Sequence, residues 1–146
     1  MKLKDIIKIP NFLLNKQVVR LQFIKLESIK LIDSNILLKF LVPSAKNPDI
    51  KYSSSILINT TNQISGNNDC KFKCSCDNFK YEYETILHKY NSLIGTPSSL
   101  KFPKRPKLFV CKHLYMCTNV LLKFRSIVNL SYVFKIKIEG EKDDSN

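Results

Sequence analysis

The chain has 146 residues, with 24 Lys plus Arg against 12 Asp plus Glu, 44% apolar residues, five Cys, two His, no Trp and three Gly. That length suits one domain with a modest core, and so few glycines leave no material for a dinucleotide-binding or Walker-type phosphate loop, neither of which occurs. The longest apolar runs, Leu108 to Cys111 and Leu114 to Cys117, are four residues each, far below the roughly 20 needed to cross a bilayer, so no membrane span is expected.

Met1 to Lys16 alternates lysine with Ile and Leu and has no continuous apolar stretch, which argues against a secretory signal and for reading the cysteines in a reducing cytosol. From Val18 to Val42 the sequence is dense in Val, Ile, Leu and Phe, broken by the turn signal Asp33-Ser34-Asn35. Strands are predicted on both sides, one in which Val19, Leu21 and Phe23 alternate with Arg20, Gln22 and Ile24, the other from Leu37 to Val42. Pro43 to Asp49 is a loop by its prolines and polar turn formers. A third strand runs from Ile50 to Asn59, with Ile56 and Ile58 on one face. Ser65-Gly66-Asn67-Asn68-Asp69 is a hairpin turn, and the return strand, Cys70 to Cys76, turns Phe72, Cys74 and Cys76 to one side and Lys71, Lys73 and Ser75 to the other.

After Cys76 the period lengthens. Phe79, Tyr83, Ile86, Leu87 and Tyr90 fall at helical spacing, with Asp77 or Asn78 placed as the cap. Gly95 to Pro106 holds three prolines and is a surface loop; Leu108 to Val110 is short and extended. A second helix is predicted from Lys112 through Leu114, Cys117, Val120, Leu121 and Phe124, and a last strand from Tyr132 to Ile138. Residues 139 to 146 form an acidic polar tail. The whole is an α+β chain, a small antiparallel sheet of hairpins with two helices, folded as a single domain over residues 1–138.

The charge is unevenly placed. Glu139, Glu141, Asp143 and Asp144 put four of the acids in the last eight residues, so residues 1–138 carry 23 basic and 8 acidic groups. A body that basic suits an anionic neighbour, whether nucleic acid, membrane headgroups or acidic protein; equally, lysines spread evenly along a chain can simply solvate its surface.

Cys74-Ser-Cys76, 34 intervening residues and Cys111-Lys-His113 make the one chemically specific pattern. A structural zinc ion takes four soft or borderline ligands in a tetrahedron, and two two-ligand clips from separate elements can supply them. Residues two apart on a strand share a face, so Cys74 and Cys76 can reach one ion. Cys111 lies where an extended segment meets a helix, whose N-terminus favours a thiolate, and His113 falls in that helix's first turn. The competing readings are buried thiols packed as small hydrophobes and disulfides, which a reducing compartment disfavours. Cys70 lies about 13 Å from Cys74 at strand rise, too far to substitute as a ligand unless the hairpin bulges, and is read as packing. Cys117, one helical turn past His113, is read as packing with substitute ligation left open, and His88 as an exposed surface histidine.

This order of strand, Cys-x-Cys, helix, loop, Cys-x-His and helix resembles the SWIM-type zinc finger over roughly residues 50–125. The resemblance implies that Cys74, Cys76, Cys111 and His113 are the four ligands of one structural Zn2+. The stretch from Cys74 to Tyr81, together with Cys111-Lys112-His113-Leu114, is similar more particularly to SWIM proteins of large tailed bacteriophages. In those proteins Cys-x-Cys-Pro-Asp-Phe precedes an aromatic-rich helix, a proline-rich loop and Cys-Lys-His-Leu. Here Asp77-Asn78 stands in place of Pro-Asp, and the insert is longer than in most SWIM modules.

A complete set of three cysteines and one histidine has no open position for substrate. Asp77, Glu82 and Glu84 are explained as helix N-terminal or solvated charges, and only His88 remains for acid–base work. A non-enzymatic role without a small-molecule substrate is therefore expected. The resemblance implies a component of a phage tail, baseplate or neck, made in the host cytoplasm and held in the virion by contacts with other structural proteins. The alternative is a finger that binds nucleic acid through Lys71, Lys73, Lys80, Lys101, Lys104, Arg105, Lys107 and Lys112, interleaved with Phe72, Tyr81, Phe102 and Phe109.

Overall fold

A computed structural model describes residues 2–6, 23–98 and 110–140. Its centre is a five-stranded sheet of β1 (Lys25–Ile32), β2 (Asn35–Pro43), β3 (Lys51–Ile58), β4 (Cys70–Cys74) and β5 (Ile138–Glu139), in the order β4-β3-β2-β1-β5. Neighbours are antiparallel except β5, which joins the outer edge of β1 in parallel. The helices are a single N-terminal turn, α1 (Leu3–Ile6), then α2 (Glu84–Lys89) entered through a π-helical segment (Phe79–Tyr83), α3 (Lys112–Phe124) and α4 (Ile127–Phe134). The α+β class read from the sequence is the observed one, with a mixed sheet and more helix than expected.

The sheet's buried face follows from alternation and register. Ile36, Leu38, Phe40 and Val42 on β2 alternate with more exposed neighbours. Pairing sets Leu38 beside Ile56 and Ile56 beside Phe72, and likewise Phe40 beside Ser54 and Ser54 beside Cys74. Each row runs across three strands on one face, and all six residues are buried. In β1 the buried Leu26 and Ile29 are three apart, which strict alternation would send to opposite faces; a bulge between Leu26 and Ser28 absorbs the extra residue and keeps both in the core. The turn at Asp33-Ser34 is as expected, with Asp33 at φ 54°. In the turn before β4, a Cβ on Gly66 would stand 2.9 Å from the Lys4 Cβ, so only glycine lets α1 dock there.

α3 covers β3 and β4. His113, Leu114, Cys117, Thr118, Val120 and Leu121 form its buried stripe, and it ends at Arg125, whose left-handed conformation (φ 64°) closes the last turn by an N–H bond to the Leu121 carbonyl.

Several predicted elements differ. Pairing of the first strand begins at Lys25, so Phe23 and Ile24 precede it, and the predicted residues from Val19 to Gln22 lie outside the described ones. β4 stops at Cys74, although Ser75 still donates to the Ser53 carbonyl. The predicted strand from Tyr132 to Ile138 is instead the end of α4 followed by the two-residue β5. Ser126 nucleates that helix, its hydroxyl accepting from the Asn129 N–H at 3.1 Å. Ile127 and Leu130, three apart, are buried, and Lys135 ends the helix at φ 55°. The apolar–lysine alternation that suggested a strand straddles this stop. The proline-rich loop beyond Ser98 and the extended residues before Val110 lie outside the described residues.

Candidate metal centre

The register that places Phe40, Ser54 and Cys74 in one row delivers the Cys74 sulfur to the end of the sheet nearest α3. Cys76 arrives by a different route from the one expected. Leaving β4, the chain turns directly into helix, and the Cys76 sulfur accepts the Phe79 N–H at 3.4 Å while its carbonyl accepts the Lys80 N–H at 3.2 Å. The cap expected from Asp77 or Asn78 is thus supplied by Cys76 itself; the Asn78 side chain makes no capping bond. Cys111 holds the corresponding place at α3, extended at φ −75° and ψ 169°, with its carbonyl accepting from Tyr115 N–H. Two of the three sulfurs therefore sit at helix starts, where unpaired N–H groups favour negative charge. His113 follows within the first turn of α3.

The ligand atoms of Cys74, Cys76, Cys111 and His113 all lie within 4.8 Å of one another, and all four residues are buried. The sequence-predicted set is brought together complete. In a tetrahedron with Zn–S of about 2.3 Å and Zn–N of about 2.0 Å, neighbouring ligand atoms stand roughly 3.5–3.8 Å apart. Cys74 Sγ lies 3.8 Å from His113 Nδ1, already at that spacing. The other ring nitrogen, Nε2, is buried without a hydrogen-bond partner. Tyr52 lies against the imidazole, ring centroids 4.7 Å apart, and fixes its plane.

The electrostatics ask for a cation. The Cys74 sulfur accepts from the Cys111 and Cys76 thiols, which holds its pKa down to about 3. Burial and the neighbouring Cys74 then push Cys111 well above the ordinary thiol range. Thiolates gathered there need a positive ion to offset burial and mutual repulsion. The chemistry of the donor set, three sulfurs and an imidazole, fits a divalent ion of borderline softness.

The remaining candidates stand apart. Cys70 is buried at the far end of β4, its thiol donating to the Asn68 carbonyl at 3.2 Å, and burial raises its pKa to about 12. Cys117 is buried beneath the site but outside the four-residue cluster, its thiol pushed well up by burial. His88 is exposed. Among the basic and aromatic residues set aside for nucleic acid, Phe72 is fully buried in the core, and Lys73 is held at 2.7 Å by Glu84; residues 101–109 lie outside the described ones.

The sequence suggests a solvated or helix N-terminal charge at Glu84, and the structure corrects this. It is 2% exposed, paired with Lys73, and its other oxygen accepts the Ser98 N–H at 2.8 Å. Burial alone would raise its pKa, but the bonds from Lys73 and Ser98 outweigh it and the net shift is downward. Its inward turn comes from the π segment, where the Glu84 N–H reaches back five residues to the Phe79 carbonyl. Of the expected stripe, Phe79, Tyr83, Ile86 and Leu87 are buried, and Tyr90, the C-cap of α2, faces solvent. The Glu82 side chain lies outside the described residues.

Compared with known proteins, the chain matches no family model, no curated protein and no solved structure. No helix among the described residues is long and apolar enough to cross a membrane.

Proposed function

We propose that Cys74, Cys76, Cys111 and His113 hold one structural zinc ion in the SWIM manner, and that the domain so clamped is a structural component of a bacteriophage particle acting through protein–protein contacts. The observation that carries the metal reading is the convergence of four buried ligand atoms within 4.8 Å, from β4, the start of the π segment and the start of α3. Bound there, zinc would tie the end of the sheet to two helices, and its binding energy would be folding energy. The complete ligand set supports a structural rather than a catalytic ion.

The contact role rests on the resemblance of the Cys-x-Cys and Cys-Lys-His-Leu segments to the phage proteins, together with the surface of α4. Val128, Tyr132 and Val133 are 59%, 84% and 49% exposed and supply three large apolar side chains to the outer face of an eight-residue helix. Exposed Lys123, Arg125, Lys135 and Lys137 flank it in sequence, which suits an acidic, partly apolar protein neighbour. Two measurements test the proposal. Elemental analysis of the freshly purified, reduced chain should give one zinc per chain, and the chain should co-sediment with intact particles after nuclease treatment. Absence of transition metal defeats the first part; release of the chain by nuclease defeats the second and favours the nucleic-acid reading.

A further inference from the structure

Behind the four ligands stands a residue that offers no ligand atom of its own. Ser54 is fully buried on β3, directly opposite Cys74 on β4, and its hydroxyl oxygen lies 3.3 Å from the Cys74 sulfur. A hydroxyl sealed from water must find a partner, and its partner here is a sulfur of the metal set. Once Cys74 is a metal-bound thiolate it has no proton to give, so the only bond available is Ser54 O–H donating to the sulfur.

We infer that Ser54 is a positioning residue for the metal centre, donating its hydroxyl proton to the Cys74 thiolate. This assignment rests on the zinc reading above and deepens it. Two consequences follow from the geometry. Drawing charge from the Cys74 sulfur lowers its basicity and its reactivity toward electrophiles while the metal is bound, and it fixes the side chain toward the ion. The serine sits in the run Ser53-Ser54-Ser55, and only the sheet register distinguishes it from its neighbours.

Cobalt(II) substitution of the full chain reads this directly, because the thiolate-to-cobalt charge-transfer band follows the electron density on sulfur. Wild type, Ser54→Ala, Ser54→Thr and Ser54→Val are loaded with cobalt(II) and then challenged with a competing chelator and, separately, with iodoacetamide. Threonine and valine have the same shape, so that pair isolates the hydroxyl even if alanine compromises folding. The expected result is a band moved to longer wavelength in the alanine and valine variants, metal released to the chelator about 10-fold more readily, and faster alkylation. Threonine should stay with wild type in all three readouts. A purely packing role would move the melting temperature and leave the band in place. If wild type binds cobalt and the valine and threonine variants share its band and its release rate, the Ser54 assignment is wrong and the metal site stands. If wild type takes up neither cobalt nor zinc, the zinc reading falls and the Ser54 assignment falls with it.

Discussion

Three buried sulfurs and an imidazole at van der Waals spacing leave each side chain dependent on the others. Cys74 accepts from two thiols and lies beside the ring of His113, so replacing any one member strands the rest without their charge partner. Cys74→Ser should reduce bound metal from one ion per chain to a small fraction and lower the melting temperature by on the order of 10 °C, the shift that about 3 kcal/mol produces in a domain of this size. Cys117→Ala is the matched control. It removes a buried sulfur outside the cluster, so it should lose about 1–2 kcal/mol of packing and keep its metal. Metal analysis alongside a thermal melt distinguishes the two, and equal metal loss in both variants would contradict the four-residue set. The ligands themselves were legible in the sequence because each pair is local: two residues on either side of one serine, or one lysine. Their supporting residues were not, since Ser54 meets Cys74 across a strand pair and Tyr52 meets His113 across the space between sheet and helix.

At the scale of elements, β2, β3 and β4 were readable because alternation and turn chemistry agree, and α3 because its apolar spacing is regular. The alternation from Val19 to Ile24 points too early for β1, whose own alternation the bulge between Leu26 and Ser28 breaks. The failures come from defects in period. The π turn after Phe79, which no count of apolar spacing reveals, brings Glu84 inward beside the expected stripe, where it holds Lys73 and the Ser98 backbone. α4 was hidden because its buried pair, Ile127 and Leu130, is followed by an exposed Tyr-Val that continues an alternating pattern into β5. The Ser126 cap is the residue that decides between them, so Ser126→Ala should destabilise the chain by about 1 kcal/mol, read as a lower denaturant midpoint at unchanged slope. Glu84 makes a pH prediction whose sign is fixed. Its folded pKa lies below the ordinary value of 4.5, so its contribution is present above pH 4.5 and is lost as pH falls below that value through the folded pKa. Glu84→Gln should therefore lower stability at pH 7 and lose less than wild type on going from pH 5 to pH 3, as measured by denaturant titration at each pH. A parallel loss in both proteins would show that the pair carries no linkage.

For the whole molecule the question is what its positive charge faces. A net charge of +12 draws any polyanion, so weak nucleic-acid binding at low salt distinguishes nothing. The discriminating features are the ones that salt does not screen. Stacking on bases requires exposed aromatics beside the basic residues, and of the pairs read from the sequence Phe72 is taken by the core and Lys73 by Glu84, leaving Tyr81 beside Lys80 among the described residues. α4 instead offers Val128, Tyr132 and Val133 in one helix, an apolar surface of the kind that proteins cover with other proteins. Substituting Val128 and Tyr132 by serine touches nothing buried and should change stability by no more than about 0.5 kcal/mol per site, with metal content intact. If contacts with a protein neighbour hold the chain in a particle, that double variant should be lost from sedimented particles at physiological salt, whereas Lys80→Gln should be retained. The opposite result, retention of the α4 variant together with loss of the lysine variant and a steep fall in binding with salt, would transfer the function to nucleic acid and leave the metal centre as a clamp for that surface instead.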